Sequence, residues 1–328
     1  MVWLWLAFLV FVVVAICVDL GVFNRRAHVM GTREGLAWTG VWVALALVFN
    51  GLIYFIYRYD WLGASDAGPS GGTAAVEFFA GYLIEKSLSL DNIFVIALIF
   101  AYFKVPRENQ HRVLYLGILG ALILRGIMIG VGAAMIRRFD WMSYVFGAIL
   151  LVTAARMLFS DHDKVEPEHN PLVRLARRIF PVTDRFRGEH FFVRENGRRM
   201  ATPLLIVLIV IESTDVLFAV DSIPAVFAVT RDPFIVFTSN VFAVLGLRAL
   251  YFVLADIIDR FRYLKVSLVI VLAFVGMKML LSHRFAIPTL VSLGVIAAIL
   301  TTGIVASVIV NRRELRTTAA STPDAGKE

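Results

Sequence analysis

Apolar residues gather in nine runs along the 328-residue chain, at 2–23, 35–57, 73–103, 113–136, 141–159, 203–229, 233–255, 265–282 and 285–310. Each is close to the roughly 20 residues that a helix rising 1.5 Å per residue needs to cross a hydrocarbon layer about 30 Å thick. The pattern predicts an all-α polytopic membrane protein with about nine transmembrane helices. Connections are short except for one, 160–202, whose Phe191-Phe192-Val193-Arg194 and Arg198, set around Asn196-Gly197, predict a small hairpin.

The polar residues that interrupt the runs are more informative than the runs. The sixth carries Glu212, Asp215 and Asp221 near its middle, with Ser213, Thr214 and Ser222 beside them and Pro224 just after. Acids there are expensive unless paired or used. The third run repeats the arrangement: with Asp91 set against Asp221, Asn92 falls on Ser222, Ile93 on Ile223 and Glu85 on Asp215. An Arg follows in the next run of each half (Arg125, Arg248), then a base in the run after that (Arg156, Lys278). This predicts a duplicated three-span unit whose copies have inverted topology, because three spans per copy is an odd number. The expected divisions are two leading spans (1–72), a first unit (73–159), a basic cytoplasmic loop (160–202), a second unit (203–284), a last span (285–311) and a disordered tail (312–328).

Composition agrees with a membrane protein: 59% of residues are hydrophobic, 17% are charged, and the mean hydropathy is +0.79. The net charge of +7 suggests nucleic acid only until its placement is read. Nine Lys and Arg fall in 160–202 and others in the remaining odd-numbered connections and the tail, whereas the even-numbered connections hold only Arg58, Arg137, Arg138, Arg231 and Arg284. By the positive-inside rule the odd connections and the C-terminus are cytoplasmic and the N-terminus is outside. All six Trp lie near run ends, as an interfacial belt would place them. The single Cys17 excludes an internal disulfide. Asp19 reads as an interfacial acid pairing with Arg25 and Arg26, and the cluster Asp161, His162, Asp163, Glu166, Glu168 and His169 reads as a solvated loop.

On a regular helix Ser89 and Asn92 lie within about 40° of Glu85, while Asp91 points about 120° from it. The two acids could then share an ion only through local unwinding or through partners on another span. Pro224 cannot donate to the carbonyl of Val220 and its ring clashes there, so the sixth helix is expected to kink or open beside Asp221. The intramembrane acids Glu85, Asp91, Glu212, Asp215 and Asp221 face as many bases: Lys86, Arg125, Arg156, Arg248 and Lys278. Structural pairing explains some of these, Arg125 and Arg248 first. Five acids on two symmetry-related spans, interleaved with Ser89, Asn92, Thr214 and Ser222, are better explained by a cation that needs oxygens. Such ligands suit hard divalent ions, and all six His lie in loops or at span ends, away from any intramembrane Zn²⁺ or Cu⁺ site. Export of a dication against 100 mV costs roughly 4.6 kcal/mol, so an exporter needs a driving ion, and protons could exchange on the same carboxylates.

The motif segments 85–92, 110–125, 201–204, 212–225 and 239–248 resemble the TerC family of integral membrane proteins, tellurium-resistance protein C and its Alx-like relatives. The resemblance covers the chain from the first span to the eighth. It implies manganese export or homeostasis, with Glu85, Asp91, Asn92, Glu212, Asp215 and Asp221 as metal-handling residues, Ser89, Thr214 and Ser222 in support, and Lys86, Arg125, Arg248 and Lys278 as counter-charges. No tightly bound cofactor is expected; the divalent cation is substrate.

Three readings follow. The first is a divalent-cation exporter, Mn²⁺ foremost, in a bacterial cytoplasmic membrane. The second is a metal-delivery or tellurite-stress subunit that binds metal without net transport and docks a protein partner through 160–202. The third, an intramembrane enzyme, lacks a nucleophile and base at sensible spacing; nucleic acid is not an expected partner.

Overall fold

The computed structural model describes residues 2–23, 31–61, 69–139, 141–159, 171–183, 185–195, 197–254, 263–281 and 287–320. The acid and histidine cluster at 161–169, Asn196, the basic residues Arg25 and Arg26 and the side chain of Asp19 lie outside these, as does 321–328. Two helices lead, α1 (Val2–Phe23) and α2 (Thr32–Arg58), followed by α3 (Gly71–Tyr102), α4 (Arg107–Arg138) and α5 (Met142–Phe159). A short helix α6 (Pro171–Ile179) and strands β1 (Phe192–Glu195) and β2 (Arg198–Ala201) precede α7 (Pro203–Phe227), α8 (Pro233–Val244), α9 (Leu247–Leu254), α10 (Leu264–Leu281) and α11 (Thr289–Ala320).

The chain is an all-α polytopic membrane protein. Helices α2, α4, α5, α7 and α11 are long and apolar enough to cross a bilayer, α8 and α9 form one broken span, and α1 and α10 add shorter apolar helices. Helix α3 has the length but carries Glu77, Glu85, Lys86 and Asp91. Large apolar side chains such as Val48, Ile123, Val131, Val152, Leu217 and Leu290 stand exposed around the bundle, where lipid would cover them. Helix α11 continues to Ala320, past the polar boundary expected at 312, because Arg312-Arg313-Glu314-Leu315-Arg316 and the alanines that follow are good helix formers. The predicted hairpin is present: Glu195 pairs with Arg198 across a two-residue turn, and Gly197 has φ +76°.

Helix packing follows an exchange of the two three-span units. Helix α3 packs on α8, and its counterpart α7 packs on α4; α3 also meets α7, and α5 meets α10. Small residues permit the close approaches. A Cβ on Gly147 of α5 would come within 3.0 Å of the Gly276 carbonyl of α10, and one on Gly81 of α3 within 2.8 Å of Ser239 Oγ on α8. In lipid, where apolar burial between helices adds little, such backbone proximity supplies much of the association.

The break expected beside Asp221 is elsewhere. Helix α7 runs unbroken through Pro224 to Phe227, so a proline that leaves one carbonyl without its helical donor is absorbed. The chain opens instead at Leu245-Gly246, where α8 and α9 meet at 41°. Gly246 has φ +80°, a region that L side chains rarely enter, and a Cβ there would lie 2.6 Å from the Trp42 ring of α2. Lys86 Nζ donates to the Ala243 carbonyl at 3.1 Å, placing a positive charge at the C-terminal end of α8.

Candidate functional site

Helices α3, α5 and α7 enclose a cavity of about 780 Å³, with α4 reaching it through Arg125 and α10 through Leu272. Its polar lining is Glu85, Asp91 and Asn92 from α3, Thr153 and Arg156 from α5, and Thr214, Asp221 and Ser222 from α7. Acids of both motifs, Glu85 and Asp91 from α3 and Asp221 from α7, therefore face one space, although both helices run unbroken. Glu85 and Asp91 diverge on α3, and the cavity is wide enough to be lined by both; no unwinding is needed.

One wall is held by Arg125. Its guanidinium lies between the motifs, donating to Glu85 through Nη1 and to Asp215 through Nε at 3.0 Å and Nη2 at 2.9 Å. Glu85 and Asp215 are the positions that the repeat aligns, so one arginine ties equivalent acids of the two units. The fork on Asp215 is the bidentate geometry that fits guanidinium to carboxylate. Asn92 Nδ2 adds a link to Asp215 Oδ1 at 3.3 Å. On the far side of this wall a pocket of about 30 Å³, room for one water, is lined by Asn92, Thr214, Asp215, Val244 and Leu247 and so reaches the break between α8 and α9.

Three residues of the cavity lining carry buried oxygens that are left without partners among the described residues. Glu85 Oε2, Asn92 Oδ1 and Ser222 Oγ are buried without a hydrogen-bond partner among the described residues. Buried polar atoms are nearly always satisfied, so three unsatisfied oxygens around one cavity mark a place for water or a ligand. Asp221 Oδ1 accepts a hydrogen bond of 2.6 Å from Thr153 Oγ1, which orients the carboxylate.

The other expected residues have different places. Glu212 lies with its carboxylate against Gly120 of α4, away from the cavity lining; without a Cβ, Gly120 leaves that space. Ser89 is buried and donates to its own helix, to the Glu85 carbonyl at 2.8 Å. Thr214 likewise donates to Val210, and its side chain borders both cavities. Among the counter-charges Arg125 pairs with acids of both motifs, as expected. Lys86 is directed to the end of α8 rather than to Glu85 because the break exposes a carbonyl there. Arg248 is buried at the start of α9 and does not line the cavity. Lys278, near the C-terminal end of α10, lies beside Glu77 in a different cavity.

Thr153 is a site residue that the sequence reading missed. Its signal was a hydroxyl in an apolar run, one turn before Arg156, which is weak because such a threonine more often bonds to its own helix. Glu77 was missed too, an acid eight residues before Glu85 in the same run.

Comparison with known proteins adds a family. A model described as "Integral membrane protein TerC family" matches residues 70–315. An uncharacterized membrane protein of Myxococcus xanthus is 50% identical over 309 residues, 94% of this chain and 93% of the relative. A protein of Escherichia coli (strain K12) named "Putative membrane-bound redox modulator Alx" is 48% identical over 311 residues, 94% of this chain and 95% of the relative. An uncharacterized membrane protein of Rickettsia bellii is 40% identical over 305 residues, 93% and 97% of the two chains. No solved structure matches.

Proposed function

The chain belongs to the TerC family of integral membrane proteins, and from that premise we propose that it exports a hard divalent cation, Mn²⁺ foremost, across a bacterial cytoplasmic membrane in exchange for protons. The observation that carries this reading is the cavity lining that Asp91 and Asp221 share with Glu85, Asn92 and Ser222, whose buried Oε2, Oδ1 and Oγ have no partner among the described residues. These are carboxylate, amide and hydroxyl oxygens, the ligands that hard dications prefer.

In this reading Asp91 and Asp221 supply the charge that attracts the ion, one from each unit. Asn92 and Ser222 supply neutral oxygens, and Thr153 fixes Asp221. Arg125 holds Glu85 and Asp215 as a frame. Among the described residues no three Asp, Glu, His or Cys side chains stand close enough to hold a metal together. The ion would therefore keep part of its water shell, as Mg²⁺ commonly does when one or two carboxylates bind it. A weak, partly hydrated seat suits transport, in which an ion must leave as readily as it enters.

The name of the Escherichia coli relative speaks of redox modulation. This chain has one cysteine, Cys17, exposed on α1, and cannot form an internal dithiol. Under the transport reading a redox effect would follow from the metal moved rather than from thiol chemistry.

The test is ion flux in proteoliposomes, with Mn²⁺, Mg²⁺, Ca²⁺ and Zn²⁺ offered in turn to wild type and Asp221→Asn, with and without a pH gradient. Mn²⁺ movement that the gradient drives and the substitution abolishes is the expected result. Binding without flux would replace the exporter by a metal-delivery subunit, with 160–202 as its docking segment.

A further inference from the structure

Beyond the C-terminal end of α7, remote from the hairpin, lies a second cavity of about 1020 Å³. Glu77, Arg137, Ser143, Thr230, Arg231, Asp232 and Lys278 provide its charged and hydroxyl-bearing lining. Glu77 Oε2 accepts from Thr230 Oγ1 at 2.6 Å, and Thr230 Oγ1 in turn accepts from the Asp232 backbone N–H at 3.2 Å. Asp232 Oδ2 accepts from the Tyr57 hydroxyl at 2.7 Å, while its Oδ1 caps α8 by accepting from the Phe234 and Ile235 backbone at 2.8 and 3.4 Å. Two carboxylates from different helices are thus fixed at the mouth of one cavity.

Lys278 is the anomaly. It is only 9% exposed, its side chain borders this cavity, and its ammonium makes no hydrogen bond among the described residues; Glu77 is the carboxylate whose field acts on it. Cations within a membrane protein normally pair with a carboxylate or with backbone carbonyls. An ammonium that lines the same cavity as two carboxylates without bonding to either behaves as a resident cation, which a second cation must displace or share the cavity with.

The two cavities lie along the same helices. Glu77 is eight residues from Glu85 on α3, about 12 Å along the axis, and Thr230 follows Asp221 by nine residues. Between them in sequence, Ile84 on α3 and Ile223 and Phe227 on α7 are buried in one apolar cluster.

We propose that this second cavity is the release station for a divalent cation, with Glu77 and Asp232 as its ligands and Lys278 as a built-in competitor that keeps its affinity low. The proposal rests on the transport reading above. Release outward needs a weak site, because an ion held tightly there would block the next turnover. The fixed positive charge of Lys278 supplies that weakness, and Arg137 and Arg231 on the rim add to it.

The test pairs equilibrium Mn²⁺ binding to the full chain in lipid nanodiscs with Mn²⁺ flux in proteoliposomes. Lys278→Met should gain a Mn²⁺ site at least roughly tenfold tighter than any wild-type site outside the Asp221 cavity, the scale expected on removing one nearby like charge. That site should survive Asp221→Asn, disappear with Glu77→Gln, and be absent from Lys278→Arg, which keeps the charge. Flux at saturating Mn²⁺ should fall about tenfold in Lys278→Met as release becomes limiting. Should Lys278→Met fail to fold, Lys278→Gln carries the same test. Wild-type flux that Asp221→Asn abolishes, with Lys278→Met binding and transporting as wild type, overturns the release station while transport stands. A gained site that persists in Glu77→Gln overturns it too. Absence of wild-type flux removes the transport reading and the release station together.

Discussion

Replacing Arg125 with Met tests whether the arginine between the motifs is a frame. The substitution roughly conserves length and volume but removes three hydrogen bonds and one positive charge. It leaves Glu85, buried within the bundle, and Asp215, whose side chain is 15% exposed, without their partner. Breaking a buried pair by deleting one member costs about 3–5 kcal/mol, because the remaining charge is uncompensated. A change of about 3 kcal/mol alters the folded to unfolded ratio more than a hundredfold. Replacing all members of such a group with neutral side chains is often close to neutral. The triple variant Glu85→Gln/Arg125→Met/Asp215→Asn should therefore recover most of the stability that Arg125→Met loses. Equilibrium unfolding in mixed micelles, followed by tryptophan fluorescence, reads all three proteins. The reasoning is refuted if Arg125→Met lies within about 1 kcal/mol of wild type, the range of an exposed ion pair. It is refuted equally if the triple variant is no more stable than the single one, since the loss would then be one of packing.

Thr153→Val removes one hydrogen bond to a carboxylate, worth about 1.5–3 kcal/mol; half-saturation for Mn²⁺ flux should rise roughly ten- to a hundredfold, and Thr153→Ser should stay near wild type. Because the repeat places Asp91 and Asp221 in equivalent positions on one cavity, Asp91→Asn and Asp221→Asn should depress flux comparably, and a silent result for either would disprove a shared seat. Gly120→Ala should destabilise by about 1–3 kcal/mol, read by thermal unfolding, because its methyl would enter the space of the Glu212 carboxylate. Gly246→Ala forces an L residue to φ +80° and a methyl against Trp42; a loss of about 1–2 kcal/mol from the backbone alone is expected in the same assay.

Charge in apolar sequence is a strong signal, and it made most of the candidate site legible. A carboxylate inside a membrane span needs a partner or a purpose, so Glu85, Asp91, Asp215, Asp221 and Arg125 could be named without coordinates; the aligned spacing of the two motifs made α3 and α7 equivalent, but that they touch was legible only in the structure. Thr153 was not legible, because hydroxyls in apolar helices are common and their partners lie across helices. Glu212 could not be separated from its neighbours by spacing, since its position depends on Gly120 of α4 leaving room for it. For Lys86 and Lys278 the sequence predicts only a counter-charge role, with no particular partner for Lys278. Their actual neighbours, the Ala243 carbonyl and Glu77, depend on where α8 ends and how far along its axis α10 presents its base.

The location of the break bears on mechanism. Proline was the visible helix breaker, and it fell beside Asp221, yet α7 tolerates it: a proline removes a single helical hydrogen bond, and packing can hold the remainder. Gly246 breaks its span because the backbone there takes a left-handed conformation and Trp42 fills the space where a side chain would stand. The consequence is an asymmetry within the repeat, since α4, the counterpart of α8 and α9, is continuous. Leu247 and Val244, on either side of the break, line the pocket that touches Asn92 and Asp215, and Lys86, next to Glu85 in sequence, bonds the freed end of α8. A change in the pairing of Glu85, Arg125 and Asp215 would therefore be felt at a joint with one unmatched half. Under the transport reading proposed above, this break is where a movement of the two units against each other would be absorbed; among the described residues it is the one bent helix pair.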